Sequence, residues 1–272
     1  MRRPVIALVA ASSLALLSAC TDDAPESASR SGSTGSVGED KGIELTQENF
    51  AEEISSAQLE AGTVHVVTTT SISGQEFSVE GDAALSDDPA DGAAVLCLDV
   101  AALGGAGDDP IDLRMIDQVM YVNLGKATGD EFYRVDLAES DDAVGDELAG
   151  MLDQVDPVKQ FEVLGDSVSA FSPDGEGDEI DGVSTTRYVL SIDPASMYEA
   201  QGLDPETLVE LPETVDYLLY VGDDLLPRRM EVEVPGVGTS TVEWSKWGES
   251  VVIEAPGEDQ ITDDAPAGFA SG

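Results

Sequence analysis

The chain has 272 residues, of which 56 are acidic and 12 basic, for a net charge of −44. A surface this negative repels nucleic-acid phosphates and anionic lipid headgroups, which excludes nucleic acid as a partner. One histidine and two cysteines leave little material for acid–base, thiol or zinc chemistry.

The chain opens with Met1-Arg2-Arg3 and then thirteen apolar or small residues, Val5 to Leu17. A membrane-spanning helix needs about 20 such residues, so this run reads as the core of a signal peptide. Leu17-Ser18-Ala19-Cys20 follows at the right distance and resembles the lipobox of bacterial lipoproteins. The resemblance implies that residues 1–19 are removed. It also implies that Cys20 carries a diacylglyceryl (palmitate-type) anchor, placing the protein on the extracytoplasmic face of the cell membrane. Residues 21–42 are rich in Ser, Gly and Asp without apolar periodicity, as expected of a flexible tether. Its root-mean-square reach is about 25 Å. A single domain is expected over residues 43–258, followed by a disordered tail at 259–272.

Within the domain, Thr46 is positioned to cap a helix over residues 47–60, with Phe50, Ile54 and Ala57 on one face. Strand signals then dominate. Val64 to Thr70 is β-branched, and Phe77 to Ala83 alternates with period two. Further strands are expected at 93–100, 111–116, 119–124, 132–137, 168–172, 185–192, 215–222, 227–234, 237–247 and 250–254. Asp141-Asp142 opens a helical pattern carrying Val144, Leu148, Met151, Leu152 and Val155, continued from Pro157 to Gly165. Asp193-Pro194 opens another, and Asp204-Pro205 starts a further turn. The fold class is α+β: a curved, mostly antiparallel half-barrel sheet with helices on one side.

No catalytic set emerges. His65 lies among β-branched neighbours in a strand, and Gly165-Asp166-Ser167 has no late histidine to serve it. Gly125-Lys126 lacks the upstream glycine of a phosphate loop. Cys97, in the apolar run 93–100, has no disulfide partner if Cys20 is acylated, and reads as a small buried hydrophobe. Asp174 to Asp181 alternates carboxylates that would suit Ca²⁺, but Thr185 stands where an EF-hand needs its last acidic ligand, so a solvated hairpin is the other reading. The expectation is a non-enzyme with no cofactor and no metal. The acidity fits either a high-salt habitat or a merely biased composition.

Four blocks, in order, carry a family resemblance: Leu45 to Val66; Gln118 to Asn123; Asp181 to Tyr188; and Asp216 to Val221 with Pro227 to Met230 and Trp244 to Gly248. They resemble the actinobacterial lipoproteins of the LppX/LprG/LprA/LprF family, which share the LolA-like fold. The resemblance implies a monomeric half-barrel, its helices on the concave side, with an apolar cavity for an acylated lipid or lipoglycan. The lining expected from the apolar alternation is Phe77, Val79, Val95, Cys97, Leu113, Met115, Val122 and Leu124. Leu148, Met151 and Leu152 would face them from the helix, and Tyr217, Leu219, Met230 and Val232 from the late strands. Arg114, Arg134, Arg187, Arg228 and Arg229 are the arginines available to meet an anionic headgroup. The alternative function for the same fold is a membrane-tethered sensor or adaptor without lipid cargo.

Overall fold

A computed structural model describes residues 43–88, 91–99, 110–137, 157–200 and 212–262. Among them the chain forms β1 (Thr63–Ile72), β2 (Gln75–Ala84), β3 (Ala93–Asp99), β4 (Ile111–Ile116), β5 (Val119–Asn123) and β6 (Phe132–Asp136). The second half adds β7 (Val168–Ile180), β8 (Val183–Ile192), β9 (Val215–Gly222), β10 (Pro227–Val234), β11 (Gly238–Ser245) and β12 (Ile261–Thr262). Three helices accompany them: α1 (Phe50–Ala61), α2 (Pro157–Ser167) and α3 (Pro194–Ala200).

All twelve strands join one curved sheet in the order β12-β6-β5-β4-β3-β2-β1-β11-β10-β9-β8-β7. It is two meanders placed side by side, β1 to β6 and β7 to β11, which meet where β1 pairs with β11. Every pairing is antiparallel except that of β12 with β6. Local chemistry sets the register. Ser73-Gly74, Asp117-Gln118 and Asp181-Gly182 each link two strands directly, with positive φ at both turn residues. That is the geometry whose twist matches a two-residue hairpin, and glycine adopts it without strain.

Alternation along the strands separates two faces. Val66 stands opposite Trp244 and Gly81, Val79 opposite Leu98, Leu96 opposite Leu113, and Leu219 opposite Met230. These residues form the concave, inner face, on which the helices pack. Phe50 stacks on Phe171 at 4.7 Å between ring centroids, Phe171 stacks on Tyr188 at 5.0 Å, and Phe161 meets Trp244 at 6.0 Å. Phe50, Ile54, Phe161, Leu190, Ile192 and Leu219 have no exposed surface. α1 packs on α2 and α2 on α3.

One helix start differs from the sequence reading and another matches it. α1 begins at Phe50 rather than 47, because the Asn49 side chain turns back to accept from the Thr46 amide at 2.7 Å and hydroxyl at 3.0 Å. Thr46 therefore organises the turn before the helix instead of capping it. α3 starts where Asp193-Pro194 predicts. Asp193 accepts from the Ser196 hydroxyl and the Ala195 amide, both at 2.9 Å, and these bonds hold its carboxyl below the usual range.

The C-terminal segment departs most from expectation. Residues 250–254, expected as a strand, form none. The chain after β11 instead crosses the sheet. Gly248 donates to the Thr63 carbonyl and the Thr63 hydroxyl to Glu249. Farther on, Arg114 donates to the Glu254 carbonyl at 3.2 Å. β12 then adds to the β6 edge, opposite Phe132 and Tyr133. Lying across the strands, this strap cannot join their ladder until it reaches a free edge. The domain therefore runs on to Thr262, past the boundary expected at 258, and the remaining tail lies outside the described residues. Ending the chain after Gly248 should lower its melting temperature by several degrees, through loss of the β12 pairing and exposure of Phe132. A truncated chain that melts with the intact one would show that the strap contributes nothing.

Candidate functional site

The apolar inner face divides in two. The larger cluster contains buried residues of β1–β3 and β7–β11, Ala94 and Leu96 of β3 among them, with α1, α2 and Met197 of α3. A second cluster consists of Met120, Val122 and Val135, packed by Leu113, Leu124, Tyr133 and Leu137. It lies on β4–β6, and none of its members comes from a described helix. Leu113 belongs to the edge of both. The candidate site is this second stretch of inner face, which continues across Leu113 and Met115 to Leu96 and Ala94.

The expected lining residues separate accordingly. Phe77, Val79, Leu113, Met115, Val122 and Leu124 stand on the inner side, as do Tyr217, Leu219, Met230 and Val232. Tyr217, Leu219, Met230 and Val232 are buried in the helix-covered part, away from the β4–β6 surface. Val95 and Cys97 lie on the opposite face: Val95 pairs with Asp82 and Arg114, Cys97 with Glu80 and Asp112. Both alternating sets of β3 are apolar, and the register selects Ala94, Leu96 and Leu98 as the inner one. Leu148, Met151 and Leu152 lie outside the described residues.

Burial pushes the Tyr217 phenol up to about 12, and among the described residues its hydroxyl donates to the Met197 sulfur, 4.0 Å away. The phenol therefore stays neutral at any physiological pH and lends no charge to this face.

The outer face carries the polar chemistry. His65 is buried there, with Nδ1 2.8 Å from Asp82 and Nε2 3.6 Å from Glu80. Its partners make it a structural residue of the sheet. Arg114 pairs with Asp112 and lies 4.8 Å from the centroid of Phe132. Burial raises the Asp112 carboxyl, against the pull of that arginine. Arg229 lies 4.3 Å over the Tyr220 ring and binds Asp178 and Glu231. Arg187 binds Asp174 at 2.7 Å. Arg228, buried at the irregularity in β10, binds Asp224 and leaves its Nη1 without a hydrogen-bond partner. The run from Asp174 to Ile180, read in the sequence as a hairpin loop or calcium site, is the edge strand β7, with two of its carboxylates held by arginines. Gly177 permits this, because a Cβ there would lie 2.3 Å from the Thr185 hydroxyl.

A groove of about 720 Å³ at the far end of β9–β11 includes Val232, but Asp216, Glu231 and Glu233 also line it. Three carboxylates make that groove a poor seat for an acyl chain. Sequence reasoning missed Ala94, Leu96, Met120 and Val135 of the inner side, and also Gln58 of α1, whose fully buried amide has no hydrogen-bond partner. Its signal was a polar residue continuing the Phe50–Ile54 row at i+8.

No protein-family model and no curated protein sequence matches the chain. Among solved structures, LprF from Mycobacterium bovis is similar, at 20% identity and a TM-score of 0.52, over 77% of this chain and 96% of LprF. The Mycobacterium tuberculosis lipoprotein LppX aligns at 20% identity over 75% of this chain and 98% of LppX, with a TM-score of 0.44, too low to carry an argument. The chain has the fold of the mycobacterial protein LprF, the curved half-barrel that the sequence resemblance implied.

Proposed function

We infer that this protein is a cell-envelope lipoprotein, anchored through Cys20, that binds an acylated lipid on the inner face of its half-barrel. The observation carrying this reading is the second apolar cluster on β4–β6, which takes none of its members from the described helices and runs continuously into the main core. Met120, Val122 and Val135 are themselves buried, and acyl chains packed against the partly buried residues around them, Leu113 and Tyr133 among them, gain about 0.8 kcal/mol for each methylene removed from water. Affinity of that origin discriminates little between chains and suits a carrier. The only histidine, bonded to Asp82 on the outer face, offers no general base to the inner one. The reading is therefore a monomeric binding protein and not an enzyme.

Anchoring follows the same arithmetic: one acyl chain holds a protein only transiently, and the two of a diacylglyceryl cysteine hold it stably. No described helix is long and apolar enough to cross a membrane. Cys20→Ala should shift the protein from the membrane fraction to the soluble one or stall its processing, as seen by fractionation and mass of the mature N-terminus. A mature chain starting elsewhere, or an unmodified Cys20, would remove the anchor from the account. The lipid claim is tested by stripping the purified protein of lipid and measuring transfer of a labelled diacyl lipid from donor vesicles. Transfer no faster than the spontaneous rate would count against it.

A further inference from the structure

Phe50, Ile54 and Gln58 lie at positions i, i+4 and i+8 of α1, and each is fully buried. Residues at that spacing share one helix face, and Phe50 and Ile54 place it against the sheet. Gln58 thus ends an apolar row, yet neither its Nε2 nor its Oε1 has a partner. An amide buried in this way is destabilising, a cost that a leucine or methionine at the same position would avoid. Beyond it, Gly62 turns α1 directly into β1, and the Gly62 carbonyl accepts from the Leu85 amide. The last turn of α1 is thereby held over the end of the sheet where Ala83 and Ala94, two of the smallest inner-face side chains, stand opposite one another.

We propose that the Gln58 carboxamide is the recognition point for the polar end of the lipid: an uncharged acyl ester with a neighbouring free hydroxyl. The inference rests on the lipid-binding reading above and adds the residue that selects the cargo. A carboxamide offers N–H donors and a carbonyl acceptor, so it is satisfied by a group that both accepts and donates. The ester carbonyl accepts from Nε2, and the hydroxyl donates to Oε1. A charged headgroup does not fit there. Arg114, Arg187 and Arg229 lie on the outer face, already bound to carboxylates, the buried Arg228 pairs with Asp224 at the β9–β10 turn, and a buried phosphate without a cation is costly.

The test compares 1,2-dioleoylglycerol with its ether analogue, which keeps the chains and the hydroxyl but lacks both ester carbonyls. Each is titrated into the full chain after delipidation. The wild-type protein should prefer the ester about tenfold, the effect of one buried hydrogen bond. Gln58→Leu and Gln58→Met should bring the two lipids within about twofold of each other and melt no lower than wild type, since the orphaned amide is gone. Equal binding of both lipids by wild type would show that Gln58 holds an ordered water instead, and a preference surviving in both variants would place the recognition elsewhere. If wild type binds neither lipid, the lipid reading falls together with this inference; if it binds both equally, only this inference falls.

Discussion

Phe50→Ala should lower the unfolding free energy by about 3–5 kcal/mol, the cost of deleting a large, fully buried aromatic side chain. Phe50 is the first residue of α1 and has no exposed surface. Its ring stacks on Phe171 of β7, which stacks in turn on Tyr188 of β8. The substitution therefore opens a cavity where the first helix meets the outermost pair of strands in the second meander. It also removes an aromatic contact with a geometric preference of its own. Equilibrium denaturation would show the loss as a lower midpoint at an unchanged slope. A loss below about 1 kcal/mol, the range of an ordinary surface change, would mean that α1 does not seal the half-barrel in this way.

Leu113→Trp should lower lipid occupancy about tenfold while leaving the melting temperature nearly unchanged, because an indole there takes up inner-face area that would otherwise bury several methylenes. Leu113 is only partly buried and stands between the two apolar clusters, with Leu96 on one side and Val122 on the other. A larger ring there would lie against the residues assigned to the acyl chains. Leu219→Trp is a poor substitute, although both residues are inner-facing. Leu219 is fully buried between Tyr188 and Met230, and overpacking it should cost about 1–3 kcal/mol of stability. Full occupancy in Leu113→Trp, measured by lipid extraction against wild type, would take the ligand off β4–β6.

The parts of the fold legible in the sequence are those where one alternating set is apolar and the other polar. β4 and β10 occupy 111–116 and 227–234, as the alternation predicts. Where both sets are apolar, as in Ala93 to Leu98, periodicity marks a strand but not its inner face. Periodicity alone therefore allows Val95 and Cys97 to face inward, whereas the register puts them outside. Val251-Val252-Ile253 has the composition of a strand, but this segment crosses the sheet and finds no ladder to join. The acidic, glycine-rich run of β7 looked like a loop because its compensating arginines, Arg187 and Arg229, come from 13 and 51 residues farther along the chain. Gln58 escaped notice for a similar reason: its orphaned amide becomes visible only once α1 is laid on the sheet.

The central claim is that the half-barrel carries a lipid, and native mass spectrometry of the protein purified from its own host tests it most directly. The expected result is a species heavier than the lipidated chain by the mass of one acylated lipid, recovered on extraction and lost from Leu113→Trp. A chain that leaves its host at its own mass, with nothing to extract, would contradict the carrier reading and leave the fold to serve as a membrane-tethered adaptor.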